Sequence, residues 1–383
     1  MLSSAMAHDR IDCFRTTLAV AVTVALIANP AAAQRFRDPE DGAFDVCRHL
    51  ATATGFLPVP MIITEPAVGY GGGLFAAYFH GSIEEWSRRN NGRLTPPSIS
   101  LAGGFATENG SWGVVAGHFG VWFHDHVRYL GGVAYISPNL AVYPAVIGGR
   151  RVDFNMEGLF IIQQVKARVW RDVFAGLRYL YAANTITFQH DSAIPGITPQ
   201  QLDIATGGLG ATVELDARDN ALSPTRGTRA QVTATFYGPA LGGDSTYRQV
   251  NGLLHQYFVF SPRVGLGVRL DGTLSTDGAP FYARPFIRMR GLPAMRYQGR
   301  AVGVTEGELR YGLNRRWTVI AFSGVGFTDN GQDSTLHASE TVVAGGGGFR
   351  YLIARQLGLQ AGVDIAVGPE ETAIYIQMGS AWF

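Results

Sequence analysis

The stretch TRAQVTATFY, residues Thr228–Tyr237, decides the fold. Arg229, Gln231, Thr233 and Thr235 fall on one face of an extended strand; Ala230, Val232, Ala234 and Phe236 fall on the other, because successive strand side chains point to opposite sides. The same pattern lies just upstream, where Leu209, Ala211, Val213 and Leu215 alternate with Gly210, Thr212, Glu214 and Asp216. It returns at Val264–Asp271 and at Leu357–Ala366, where Arg269, Asp271 and Asp364 sit on the polar parity. Each polar face carries a charge, so it is not the apolar inner face of a sandwich. Apolar outward and polar inward over about 10 residues is the pattern of a strand with lipid on one side and a wet lumen on the other. A bilayer offers no partner to an open sheet edge, so the sheet must close.

Composition agrees. Of 383 residues, 46% are hydrophobic and only 16% charged, against about 25% charged in an ordinary soluble domain. Glycine is abundant, at 49 residues, and Lys166 is the single lysine. Low charge and many aromatics exclude a disordered chain. A net charge of +1 gives no electrostatic case for nucleic acid. Two cysteines cannot make a disulfide scaffold. After residue 33 there is no run of about 20 apolar residues, so no membrane helix is expected.

The first 33 residues read as an address. Arg10 and Arg15 precede an apolar stretch from Leu18 to Ala28, and Pro30-Ala31-Ala32-Ala33 supplies a small-residue cleavage site. Residues 34–55 read as a short periplasmic tail. From Phe56 to the last residue, turn signals separate sixteen strands, with starts running from Phe56 and Tyr70 through Ala205 and Ala301 to Thr372. Short connections such as 313–316 suit the periplasmic side, and long ones such as 279–300 the outside. The expected fold is an all-β, sixteen-stranded antiparallel transmembrane barrel over residues 56–383.

Several segments carry a resemblance. Arg288-Met289-Arg290-Gly291-Leu292 is similar to the V-R-G-F/Y motif of the BamA-like outer-membrane barrel superfamily, also called the bacterial surface antigen family; Met289 and Leu292 depart from it. Gly324-Val325-Gly326-Phe327-Thr328-Asp329 resembles its G-x-F-x-D motif. Asp216-Ala217-Arg218-Asp219-Asn220, with Pro224 and Gly227, resembles its mid-barrel turn. Glu306, Glu308 and Arg310 stand in an E-L-R-Y setting, and Phe56-Leu57-Pro58 resembles the opening hairpin. The end, with Gln377, Gly379, Trp382 and the terminal Phe383, resembles the recognition signal of outer-membrane barrels.

The resemblance implies that the sixth extracellular loop folds into the lumen, with Arg290-Gly291 at its tip. Arg290 is then expected to pair with Asp329, with Glu306 or Glu308 nearby, and Phe327 to face the lumen beside Asp329. Pro58 and Pro60 cannot donate ladder hydrogen bonds, so a weak seam is expected between the first strand and the last, which ends at Phe383. Residues 34–55 are too short for one of the periplasmic polypeptide-transport-associated domains that assembly factors carry. The implied function is insertion or translocation of polypeptide through the lumen and seam. The alternative is an outer-membrane pore or structural barrel that keeps the fold without the assembly role. Expected partners are outer-membrane lipid and a polypeptide client or periplasmic protein, with the barrel a monomer. No enzyme, cofactor or metal site is expected. His124-Asp125-His126, with His118, lacks a third ligand, and His190-Asp191-Ser192 cannot form a relay when adjacent strand residues point apart.

Overall fold

The structure is a computed structural model. It describes residues 36–47, 55–81, 98–144, 148–188, 201–331 and 339–382. Residues 1–33, where a signal segment is expected, His190–Ser192 and Phe383 lie outside them.

Seventeen strand segments follow one another: β1 (Gly55–Ile63), β2 (Gly71–Phe79), β3 (Ile99–Thr107), β4 (Trp112–Trp122), β5 (Val127–Ser137), β6 (Asn139–Val142), β7 (Val152–Trp170), β8 (Val173–Phe188) and β9 (Gln201–Asp216) form the first half. The second half is β10 (Gly227–Tyr237), β11 (Tyr247–Ser261), β12 (Val264–Ser275), β13 (Ala301–Gly312), β14 (Trp317–Asp329), β15 (Thr341–Ala354), β16 (Leu359–Val367) and β17 (Thr372–Met378). β5 and β6 both pair with β7, on either side of Pro138. They are one stave interrupted where proline lacks its donor, so the barrel has sixteen staves, as expected. Every stave pairs antiparallel with its neighbour in sequence, from β1–β2 through to β16–β17. The expected starts fall close to the observed ones. The largest early error is at β9, which begins four residues before Ala205, because Gln201, Leu202 and Asp203 have no apolar alternation to mark them.

Alternation of burial sorts the two faces. Along β14 every second residue from Thr318 to Thr328 turns inward, and Trp317 to Asp329 on the other parity turns out. Val213, Val232, Leu274 and Val343 are among the exposed outer side chains that a hydrocarbon phase would cover. Glu214, meanwhile, is buried on the inner face with Lys166 and Arg229.

The barrel is nearly closed. Among the described residues no backbone ladder joins β1 to β17; across this gap Ile376 N–H donates to Thr64 Oγ1, at 3.4 Å. Pro58 and Pro60 lie in β1 two residues apart, so both missing donors face the same side. The β1–β2 register runs unbroken through both prolines, which places that side at the free edge.

Candidate functional site

The site grows from the connection between β12 and β13, residues 276–300. It folds back on itself: Ile287 N donates to Tyr297 O at 3.0 Å, Gly299 N to Pro285 O at 3.0 Å, and Phe286 bridges Gln298. At its turn Gly291 has φ +87, a left-handed conformation that favours glycine. Ile287, Met289, Leu292 and Tyr297 are buried against Val302 and Val304 of β13 and Val342 and Ala344 of β15. Burying each such side chain contributes roughly 1.5–3 kcal/mol. Two glycines of β14 make the room. A Cβ on Gly324 would come within 2.5 Å of Met289 Sδ, and one on Gly326 within 2.6 Å of Ile287.

Arg290 projects from this turn and is 8% exposed. Glu306 Oε1 accepts from its Nε at 3.1 Å and also from its Nη2. Its Nη1 lies 2.8 Å from Asp364 Oδ2 and 2.9 Å from Glu308 Oε2. The guanidinium stacks on Phe322, 3.5 Å from the ring centre. The three carboxylates have further cations: Arg350 holds Asp364 at 2.5 and 2.9 Å, Arg310 holds Glu308 at 2.8 Å, and Arg269 lies 3.7 Å from Glu306. Four guanidiniums thus offset three carboxylates, which keeps a buried charge cluster from being costly. Strand parity explains the convergence. Glu306 and Glu308 share the inward face of β13, and Asp364 the inward face of β16.

The chain's end joins the same cluster. β17 stops at Met378, Gly379 takes φ +79, and the backbone turns away from the sheet. Trp382 is 3% exposed and donates its indole N–H to Glu306 Oε1 at 3.0 Å. Its ring lies near Tyr257 and His255 of β11, over Gly267 of β12, where a Cβ would stand 2.7 Å from it. The connection 217–226 also crosses the barrel. It follows the eighth stave, yet Asn220 Nδ2 donates to Leu357 O beyond the fourteenth at 2.7 Å, and Leu222 O accepts from Ser380 N at 2.8 Å.

The structure brings Arg290, Gly291, Glu306 and Glu308 together. It does not bring Asp329 or Phe327 to them, and this corrects the sequence expectation. Phe327 is 52% exposed on the outer face, and Asp329 shares that parity, bonding Gly331 N and Ser339 instead. Only the glycine half of the Gly324–Asp329 motif faces Arg290's connection. The expectation of a strand running to the terminus is corrected too, since Trp382 has left the sheet. His124 and Asp125 form a tight turn with positive φ, and Asp125 is taken by Arg128 and Arg168. Among the described residues no group of three metal-ligating side chains occurs. Sequence reading missed the partners Phe322 and Trp382. It placed Asp364 on the inner face without assigning it to Arg290.

The fold is a nearly closed, sixteen-stave antiparallel barrel that carries an arginine from the β12–β13 connection onto its inward-facing carboxylates. Residues 177–287 match the model of the Omp85 superfamily domain. No curated protein matches the chain. Among solved structures it is similar to BamA from Haemophilus ducreyi lacking POTRA domains 1–3, with TM-score 0.57 and 11% identity, over 85% of this chain and 69% of that one. It is also similar to CdiB from Escherichia coli (TM-score 0.53, 11% identity, 84% of this chain) and from Acinetobacter baumannii (TM-score 0.53, 9% identity, 84%). The chain spans 61% and 59% of those two. At such identities the likeness is one of fold.

Proposed function

We propose that this barrel, exported by its N-terminal signal to the bacterial outer membrane, inserts or translocates polypeptide through its lumen and the β1–β17 seam. The carrying observation is the seam. A strand edge without a ladder can accept another strand; β17 offers such an edge, while Pro58 and Pro60 take two donors from the facing edge of β1 and keep the two strands from zipping shut. The β12–β13 connection acts as a lumen plug locked by Arg290, so that polypeptide passage and loop position are linked through Glu306. The barrel works as a monomer in lipid and recognises its client as an unpaired strand rather than by a catalytic group.

The test is a disulfide between Thr64→Cys and Ile376→Cys, adjacent across the seam. In proteoliposomes, the oxidised barrel should fail to insert a urea-denatured eight-stranded outer-membrane barrel, and reduction should restore insertion. Equal insertion with the seam locked would defeat the reading. Steady ion conductance without insertion in either state would point to the pore alternative.

A further inference from the structure

The segment 36–47 is bound beneath the barrel. Arg316, in the turn between β13 and β14, is 6% exposed and reaches three aspartates of this segment: Asp38 at 2.5 Å, Asp41 at 2.6 Å and Asp45 at 2.6 Å. Arg355, in the turn between β15 and β16, adds Asp38 at 2.5 Å and Glu40 at 2.8 Å. Val46 N donates to Ile353 O at 2.7 Å, and Tyr351 Oη donates to Phe44 O at 2.9 Å. Cys47 is buried with Ala354, Leu357 and Leu359, its Sγ 3.6 Å from Gln356 Oε1. Every one of these contacts lies on the β17 side of the seam. Yet the segment continues in the chain into β1, which is the other side.

We infer that residues 36–47 are the docked end of a strap: anchored on the β17 side of the seam and joined by the chain to β1, they limit how far β1 can move from β17. The inference rests on the seam reading above and names its regulation. Chain length sets the limit. From Cys47 to Gly55 an extended chain spans at most about 27 Å. Counted across the strands alone, the anchor at the β15–β16 turn and β1 are at least two to three strand spacings apart, about 10–15 Å at about 4.8 Å each. The slack is therefore at most roughly 12–17 Å by the same two dimensions. Entry of one β-hairpin widens a seam by about 10 Å, and entry of four strands by about 19 Å. The docked strap admits a hairpin at most; a larger sheet requires the aspartates to leave Arg316 and Arg355.

The test places spin labels at Phe56→Cys and Met378→Cys, both exposed on the outer face, in the full chain with Cys47→Ser, in nanodiscs. Distances are read before and after adding the urea-denatured eight-stranded barrel. With the strap intact, the longest distances should exceed the resting one by no more than about 15 Å, the slack above. Arg316→Gln, and separately Asp38→Asn with Asp41→Asn and Asp45→Asn, should extend that limit. A covalent lock is read apart from the labels, with native Cys47 and Gln356→Cys: oxidised, it should slow insertion of the eight-stranded polypeptide at least fivefold, and reduction should reverse this. That lock carries the test if an Arg316 variant fails to fold, as judged by heat-modifiability on gels. Broad label distances that are identical with strap intact and released, together with insertion indifferent to the lock, would overturn the strap and leave the seam reading standing. One short distance in every variant, with polypeptide present, would overturn both.

Discussion

Two arginines, Arg290 at the inward faces of β13 and β16 and Arg316 at the β13–β14 turn, each gather three carboxylates, but they gather them differently. Arg290 draws Glu306 and Glu308 from one strand and Asp364 from another, fixed in space by the sheet before the loop arrives. Arg316 draws Asp38, Asp41 and Asp45 from a single short segment, a small hairpin closed by the Arg37–Phe44 bridge but paired to no strand of the barrel. The first is a preformed socket for one side chain. The second is a socket whose walls arrive with the ligand, so ordering that segment offsets part of the ionic gain. The lumen lock should therefore behave as part of the fold, and the strap as a separable contact.

That contrast can be broken experimentally. Arg290→Ala leaves Asp364 to Arg350 and Glu308 to Arg310 but Glu306 with only the Trp382 indole and Arg269 at 3.7 Å, and the apparent urea midpoint should fall by the equivalent of about 3 kcal/mol. A fall under about 1 kcal/mol would make the lock no stronger than a surface pair. In double-mutant cycles Arg290→Ala should couple to Glu306→Ala and add independently with Asp329→Ala, within roughly 0.5 kcal/mol.

Acid should separate the two centres. Hydrogen bonds from Arg316 and from Ala43 N hold the Asp41 carboxyl down at about 2, and Asp38 is lowered likewise, by Arg355 first. A depressed folded-state value means docking is fully supported above the ordinary carboxylate range, near pH 4, and is lost as pH falls through about 2. Proteolysis within residues 36–47 should accordingly begin between those limits while the barrel still resists heat. Release already at pH 6 would contradict the ion-pair account. Trp382→Phe removes one indole donor from Glu306 and should cost about 1 kcal/mol in the urea midpoint. Asp329→Asn, on the outer face, should change it by less than about 0.5 kcal/mol.

The sequence made the staves legible because polar and apolar parities separate wherever the inner face is wet, as in Thr228–Tyr237. It misled where the inner face is dry. In β14, Ile320 and Phe322 point inward to meet Ala366 and Arg290, while Val319, Val325 and Phe327 point outward. Both parities are apolar, so alternation could not assign Asp329 to a side. The glycines could have done so. Gly324 and Gly326 share a parity that must be empty of side chains to admit Met289 and Ile287. Arg290-Gly291 was legible from local chemistry, a left-handed turn beside a fork of donors. Its partner Asp364, 74 residues away, depends on barrel closure, which no local pattern records. The Asp38–Asp45 segment looked like a polar tail because its cations, Arg316 and Arg355, are more than 270 residues distant.

The staves differ in height, and that difference acts on the lipid. β7 has 19 residues and β8 and β9 have 16 each, but β1 has nine and β17 only seven. A tilted strand needs about 9–11 residues to cross a hydrocarbon core. Around β7–β9 the wall overtops the bilayer; at β17 it falls short of it. Lipid beside β17 must thin to keep its chains against apolar surface, at a fraction of a kcal/mol for each ångström of mismatch. The membrane is thus expected to be thinnest beside β17, along the line where the wall itself is unzipped.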